Sequence, residues 1–156
     1  MPTGTEKRLI DANLNRLREG IRVLEDIARY ILNDLPLSSA LKTLRHKARI
    51  GDLNNLQSLL QHRDIKNDIL KTSTPSEKKR ENLCDIALAN FKRSEESARV
   101  LEEIFKLDFI GAESKNFEKS AKTELDSVSE VFKAIRYELY DIEIAYFRAM
   151  GDAVEF

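Results

Sequence analysis

The sequence predicts an all-α protein: a long antiparallel four-helix bundle built from two repeated helical hairpins related by a pseudo-twofold axis. Three observations lead there. Apolar residues recur at alternating spacings of four and three over long stretches, the period of helices with one buried seam. Five Gly, three Pro and no Trp in 156 residues leave little material for the turns of an all-β fold. A stretch of the first helix also reappears 77 residues later.

Ile10, Leu14, Leu17, Ile21, Leu24, Ala28 and Ile31 predict a helix from residue 5 to about 33, stopped by Pro36. Ser38 and Ser39 are the expected caps of a second helix carrying Leu41, Leu44 and Ala48 and, after a break at Gly51-Asp52, Leu56, Leu59 and Leu60. Residues 62–74 have no helical period and form the longest candidate loop, a kind of segment that in compact domains is usually functional or disordered. Thr74-Pro75-Ser76-Glu77 reads as an N-cap, a first-position Pro and a capping-box Glu, so the third helix is expected to start there. It would carry Leu83, Ile86, Ala87, Ala98, Leu101 and Phe105 and end near Gly111. A fourth is expected over about 113–150, with Phe117, Ala121, Leu125, Val128, Phe132, Ile135, Leu139, Ile142 and Tyr146 on its seam. One domain then spans 1–156, with repeat halves at about 5–62 and 75–150 and a loop at 63–74.

Composition excludes several function classes. A (β/α)₈ barrel needs roughly 200 residues or more. A formal charge of −1 argues against a protein built to coat nucleic acid. Cys84 is the only cysteine, so no intrachain disulfide forms, and it reads as a small apolar residue inside a helix. The N-terminus is charged by Glu6, and no apolar run exceeds four residues, so neither a signal peptide nor a membrane span is expected and the location reads as cytoplasmic.

The repeat carries the chemistry. Residues 13–27 and 90–104 align without gaps and share Asn13/Asn90, Arg16/Arg93, Glu19/Glu96, Arg22/Arg99, Val23/Val100, Leu24/Leu101, Glu25/Glu102 and Ile27/Ile104. Seam packing preserves apolar character but gives no reason to keep the same charged residues. Leu41-Lys42-Thr43-Leu44-Arg45-His46 is echoed more weakly by Phe132-Lys133-Ala134-Ile135-Arg136-Tyr137. On a helical wheel Asn15, Glu19, Arg22 and Asp26 share a stripe opposite the seam. Such neighbours are ordinarily solvated pairs worth about 0.2–0.5 kcal/mol, which tolerate exchange of residue type. A second cluster, Arg63-Asp64 with Asp68, lies in the long loop; Arg offers planar donors for phosphate and Asp hard oxygen for magnesium. Glycine-rich phosphate loops, zinc spacing and the Glu-x-x-His di-iron pattern are all missing. An enzyme here would work by charge placement.

Asp11 to Asp26 (DANLNRLREGIRVLED), Lys42-x-x-Arg45-His46, Arg63-Asp64 with Asp68, Arg99-Val-Leu-Glu-Glu103 and Arg136-Tyr-x-x-Tyr140-x-x-Glu143 resemble the alternative hydroxymethylpyrimidine phosphate kinase domain. That family is typically fused ahead of thiamin-phosphate synthase, and the resemblance covers about residues 8–147. It implies a small cytoplasmic helical domain that converts hydroxymethylpyrimidine phosphate and ATP into the diphosphate and ADP. With the chain ending at Phe156, no synthase activity is expected of it, and Ile69-Leu70 follow Asp68 where the family usually has Gly.

The reaction suits a site without a catalytic base, because the acceptor monoester has a second pKa of about 6 and is largely a dianionic nucleophile at neutral pH. Repulsion between phosphates is the obstacle, met by positioning and positive charge. Residue chemistry assigns Arg22 and Arg99, the repeat-related pair, and Arg63 to phosphate clamping, with Arg16, Arg45, Arg93 and Arg136 as further donors. Glu19, Asp64 and Asp68 are the magnesium candidates. Asn13 and Tyr137 are placed to read and stack on the aminopyrimidine. Glu25, Asp26, Glu102 and Glu103 are assigned to holding the arginines, and Tyr140 to bundle packing. The partners expected are the pyrimidine phosphate and ATP with Mg²⁺, with no nucleic acid and no membrane; a homodimer and a separate thiamin-phosphate synthase stay open. The rival reading is a non-catalytic helical dimerisation or regulatory module partnering such a synthase. A helical nucleotide pyrophosphatase ranks third, since its paired Glu-x-x-Glu is absent.

Overall fold

The computed structural model describes the backbone of residues 4–49, 53–107 and 128–153, and their side chains except those of 53–56 and 153. The described elements are α1 (Gly4–Asp26), a π-helical turn (Ile27–Ile31), α2 (Leu35–Lys47), α3 (Leu53–Leu60), α4 (Leu83–Ile104) and α5 (Val128–Ala153), with no strand among the described residues. α1 packs on α4, α4 on α5, α5 on α2 and α2 on α1, closing a four-helix ring, while α3 lies against α1. The expected all-α bundle is therefore what forms.

α1 buries Ile10, Leu14, Leu17, Ile21 and Leu24, the predicted seam. Leu17, Ile21 and Leu24 keep no exposed surface, and each such side chain contributes about 1.5–3 kcal/mol of burial. Across the α4–α5 face, Phe91 meets Tyr146 edge-on at 5.0 Å and Phe105 stacks on Phe132 at 5.6 Å. α1 and α4 run antiparallel: the Ser94 hydroxyl donates to the Leu17 carbonyl at 3.3 Å, and Gly20, further along α1, faces the carbonyl of Asn90, earlier on α4. The two helices touch so closely there that a Cβ on Gly20 would collide with the Ser94 hydroxyl.

Several expected boundaries are corrected. The first helix does not run unbroken to residue 33; it widens into the π turn, where Leu32 N–H donates to Ile27 and Asp34 N–H to Ala28, and ends on Asn33 at φ 51°. Asn is among the few non-Gly residues that adopt this left-handed conformation at a helix end. Second, α2 is capped by Asp34, whose Oδ1 accepts from Leu37 N–H at 3.0 Å; Pro36 lies inside its first turn and Ser38 donates back to the Asp34 carbonyl. Third, α4 starts at Leu83, eight residues after Pro75. Glu77 does accept from Thr74 N–H at 3.0 Å, as a capping box requires, but only a turn results. Residues 76–82 are all polar, and a helical turn with no apolar face to bury is marginal. Asn82 caps the real start, accepting from Asp85 N–H at 2.9 Å just before the apolar run begins. The candidate loop is accordingly longer than 62–74, running from 61 to 82. At its other end α4 stops at Ile104, short of the Gly111 expected. The Gly51-Asp52 break, Gly111 itself and the start of the fourth helix with Phe117, Ala121 and Leu125 lie outside the described residues, and of α5 the part from Val128 is described.

Candidate functional site

Two arginine–carboxylate clusters stand out, and they repeat each other. Glu25 is buried near the end of α1 and takes two bonds from Arg45 of α2, Nε to Oε2 at 2.9 Å and Nη2 to Oε1 at 3.3 Å. Arg22 lies beside it, 3.8 Å from Glu25 and 3.1 Å from Asp26. Glu102, buried near the end of α4, takes Nε and Nη2 of Arg136 at 3.1 and 2.9 Å. Arg99 pairs with Glu102 at 3.3 Å and Glu103 at 3.2 Å. In each cluster one arginine is shielded, Arg45 at 14% and Arg136 at 13% side-chain exposure, and one faces water, Arg22 at 52% and Arg99 at 53%. Glu25, Asp26, Glu102 and Glu103 thus hold the arginines as assigned. The recurrence extends to Asn13 and Asn90, whose side-chain amides donate to the carbonyls four residues back, Leu9 and Ile86, at 2.9 and 2.8 Å.

The antiparallel crossing separates the clusters. Glu25 and Glu102 each lie eight residues beyond the Leu17–Ser94 contact, in opposite directions, so the two glutamates are roughly 24 Å apart along the helices at 1.5 Å per residue. Arg22 and Arg99 are therefore not brought together on one phosphate. Between the two ends the repeat has diverged. Next to Arg136, Tyr137 is 57% exposed and Tyr140 39%, set edge-on to each other at 5.9 Å, with the Arg136 guanidinium 5.1 and 5.7 Å from their ring centres and donating to the Tyr140 hydroxyl at 3.3 Å. Tyr140 is thus part of an exposed aromatic corner rather than of bundle packing.

The remaining expected residues scatter. Arg63 is occupied by Asp11, with two bonds of 2.7 Å, and Glu19 is exposed within electrostatic reach of it. Asp64 folds onto its own loop, accepting from the backbone N–H of Asn67 at 3.2 Å and its amide at 2.8 Å, which holds its carboxyl below the ordinary value, while its carbonyl accepts from Arg8. Asp68 accepts from Leu70 N–H at 3.0 Å in another local turn. Among the described residues no three carboxylates, His or Cys are grouped as a metal cage. Asn13 is buried with its amide turned into its own helix. Arg16 and Arg93 are exposed, without an ion-pair partner among the described residues. Sequence reasoning missed the partner of Arg63, since Asp11 is 52 residues away with no local signal, and it missed Arg18 and Arg49, discussed below.

Comparison with known proteins gives this geometry a setting. The ThiD2 family model matches residues 8–145. The chain belongs to the ThiD2 family. Its setting is thiamine biosynthesis, as the curated relatives agree. The chain is 36% identical over 138 residues to the thiamine-phosphate synthase of Rhodopirellula baltica, covering 87% of this chain and 32% of that protein. It is 36% identical over 139 residues to the thiamine-phosphate synthase of Thermosynechococcus vestitus, covering 89% and 34%. The ThiD2 chain thus spans about a third of the length of the relatives it matches, and the activity they are named for is that of the longer proteins. No solved structure matches it significantly. No helix among the described residues is long and apolar enough to cross a membrane.

Proposed function

We propose that this ThiD2 chain is a thiamin-biosynthesis kinase that transfers the γ-phosphoryl group of ATP to hydroxymethylpyrimidine phosphate, giving the diphosphate and ADP. One observation carries the reading: Arg99 and Arg136 share the buried Glu102 beside the exposed rings of Tyr137 and Tyr140. A flat ring bearing a phosphate needs an aromatic face and fixed cations a few ångströms from it, and this corner supplies both. The acceptor needs no base, so the chain's part is to bind and orient it and to offset the repulsion between two polyanions. The carboxylates behind Arg99 and Arg136 keep the guanidiniums in place without reorganisation when charge moves. Mg²⁺ arriving with ATP asks for only one or two protein oxygens. Of the three candidates, Glu19 is exposed, whereas Asp64 and Asp68 accept bonds within their own turns.

The deciding experiment is to incubate the pure protein with ATP, Mg²⁺ and hydroxymethylpyrimidine phosphate and to look for the diphosphate. Its formation supports the kinase. Its absence, together with co-purification with a separate thiamin-phosphate synthase, would favour the non-catalytic module. The synthase step itself we assign to the part of the longer relatives that this chain does not match.

A further inference from the structure

α2 closes on a run of basic residues, Lys42, Arg45, His46, Lys47 and Arg49, and Arg18 of α1 stands within electrostatic reach of Arg45 and Arg49. Arg45 is held by Glu25 and Lys47 by Glu138 at 3.0 Å. Arg18, Lys42 and Arg49 have no carboxylate within ion-pair distance among the described residues. Cations in a last helical turn are ordinarily explained by the negative end of the helix dipole. That does not account for Arg18, which comes from the middle of another helix and whose Nε is buried with no hydrogen-bond partner. A buried, unpaired guanidinium nitrogen beside two further arginines is costly unless an anion is meant to satisfy it. Burial first, then Arg49 and Arg45, push the Arg18 pKa down; slight burial, then Arg49, Arg45 and Lys42 push the His46 imidazole down, against a smaller opposing pull from Glu25. The repeat sharpens the contrast, since the positions of His46 and Arg49 correspond to Tyr137 and Tyr140.

We infer that Arg18, Lys42, Arg45, His46 and Arg49 form a polyphosphate-binding site, made of residues other than those of the aromatic corner that we propose for the pyrimidine phosphate. Three cations without ion-pair partners among the described residues, two on helices and Arg49 just beyond α2, suit a ligand with several charged oxygens in a chain, rather than a single carboxylate. The inference rests on the kinase reading only for the source of the anion, not for its chemistry.

The test is titration of the folded protein with inorganic tripolyphosphate, followed by NMR of the two histidines. The His46 signal is expected to move saturably and its imidazole pKa to rise, with His62 as the internal reference. Arg18→Gln and Arg49→Gln should each weaken binding at least tenfold with unchanged melting. An unmoved His46, or equal affinity in the variants, overturns the site. The source of the anion is read separately from kinetics. A tenfold rise in KM for ATP in Arg49→Gln identifies the reaction's own ATP; lost tripolyphosphate binding with unchanged kinetics identifies a separate phosphate effector. Were no kinase turnover found at all, the titration would still decide the site, so the two readings fail independently.

Discussion

Glu25 holds Arg45 across 20 residues of sequence through two hydrogen bonds of 2.9 and 3.3 Å, with 6% of the Glu25 side chain and 14% of the Arg45 side chain exposed. Glu102 does the same for Arg136 across 34 residues. Each pair ties the end of a long helix to its neighbour and leaves a second arginine, Arg22 or Arg99, facing water with its position set.

Removing one partner strands a mostly buried charge. Glu25→Gln and Glu102→Gln should each cost about 2–3 kcal/mol, a little under the value for a fully buried pair because the arginines keep some contact with water. Urea denaturation checks it. The double variant Glu25→Gln/Arg45→Gln should lose less than the sum of the two single changes.

Arg99 presents the opposite case. Its ion pairs are within one helix and half-exposed, so Arg99→Ala should cost under about 1 kcal/mol of stability. Turnover should nonetheless fall on the order of 100-fold if the guanidinium meets the acceptor phosphate. Tyr137→Ala, by contrast, should raise the KM for the pyrimidine phosphate more than it lowers kcat. Near-normal turnover in Arg99→Ala with intact circular dichroism would remove Arg99 from the site.

Gly20 is where α1 and α4 meet most closely. Ala is the better helix former by about 1 kcal/mol, but its Cβ has to displace the Ser94 hydroxyl that bonds Leu17. Overpacking of this kind outweighs the propensity gain, and Gly20→Ala should be destabilising by about 1–2 kcal/mol in thermal or chemical melts.

A pH dependence is built into α4. Glu95 is buried and raised from 4.5 to about 7, by burial first and then by the neighbouring Glu143 carboxylate, against the pull of Lys92 at 3.0 Å. A carboxyl whose folded pKa lies above its unfolded value stays protonated in the native state while the unfolded chain ionises. Its contribution is therefore full below about pH 4.5, declines as pH rises and levels off above about 7, a loss on the order of 1–3 kcal/mol. Glu95→Gln should flatten stability over this window; an unchanged pH profile would contradict the assignment.

The start of α4 is tested by its caps. Asn82→Ala should cost about 1 kcal/mol, because Asn82 satisfies the N–H of Asp85 at the first turn of a packed helix. Glu77→Ala should change stability by under about 0.5 kcal/mol, since the turn it closes is exposed throughout.

The sequence by itself determined whatever is local. The four-three spacing of Ile10 to Leu24 made α1 and its buried face, and the charged identities at an offset of 77 marked both clusters, because i,i+3 and i,i+4 neighbours meet on any helix. It misled where a local signal had no tertiary support: Glu77 accepts from the Thr74 N–H, but the residues after them are all polar and exposed through Glu81. Only the tertiary structure decided which arginine completes each glutamate, that Asp11 occupies Arg63, and that Arg18 comes within electrostatic reach of Arg45 and Arg49. It also decided that the repeat-related Arg22 and Arg99 stand at opposite ends. A repeat fixes which residues are equivalent, but whether equivalents meet depends on the direction in which the helices cross, and that is set by packing at Leu17, Gly20 and Ser94 rather than by the period of either helix.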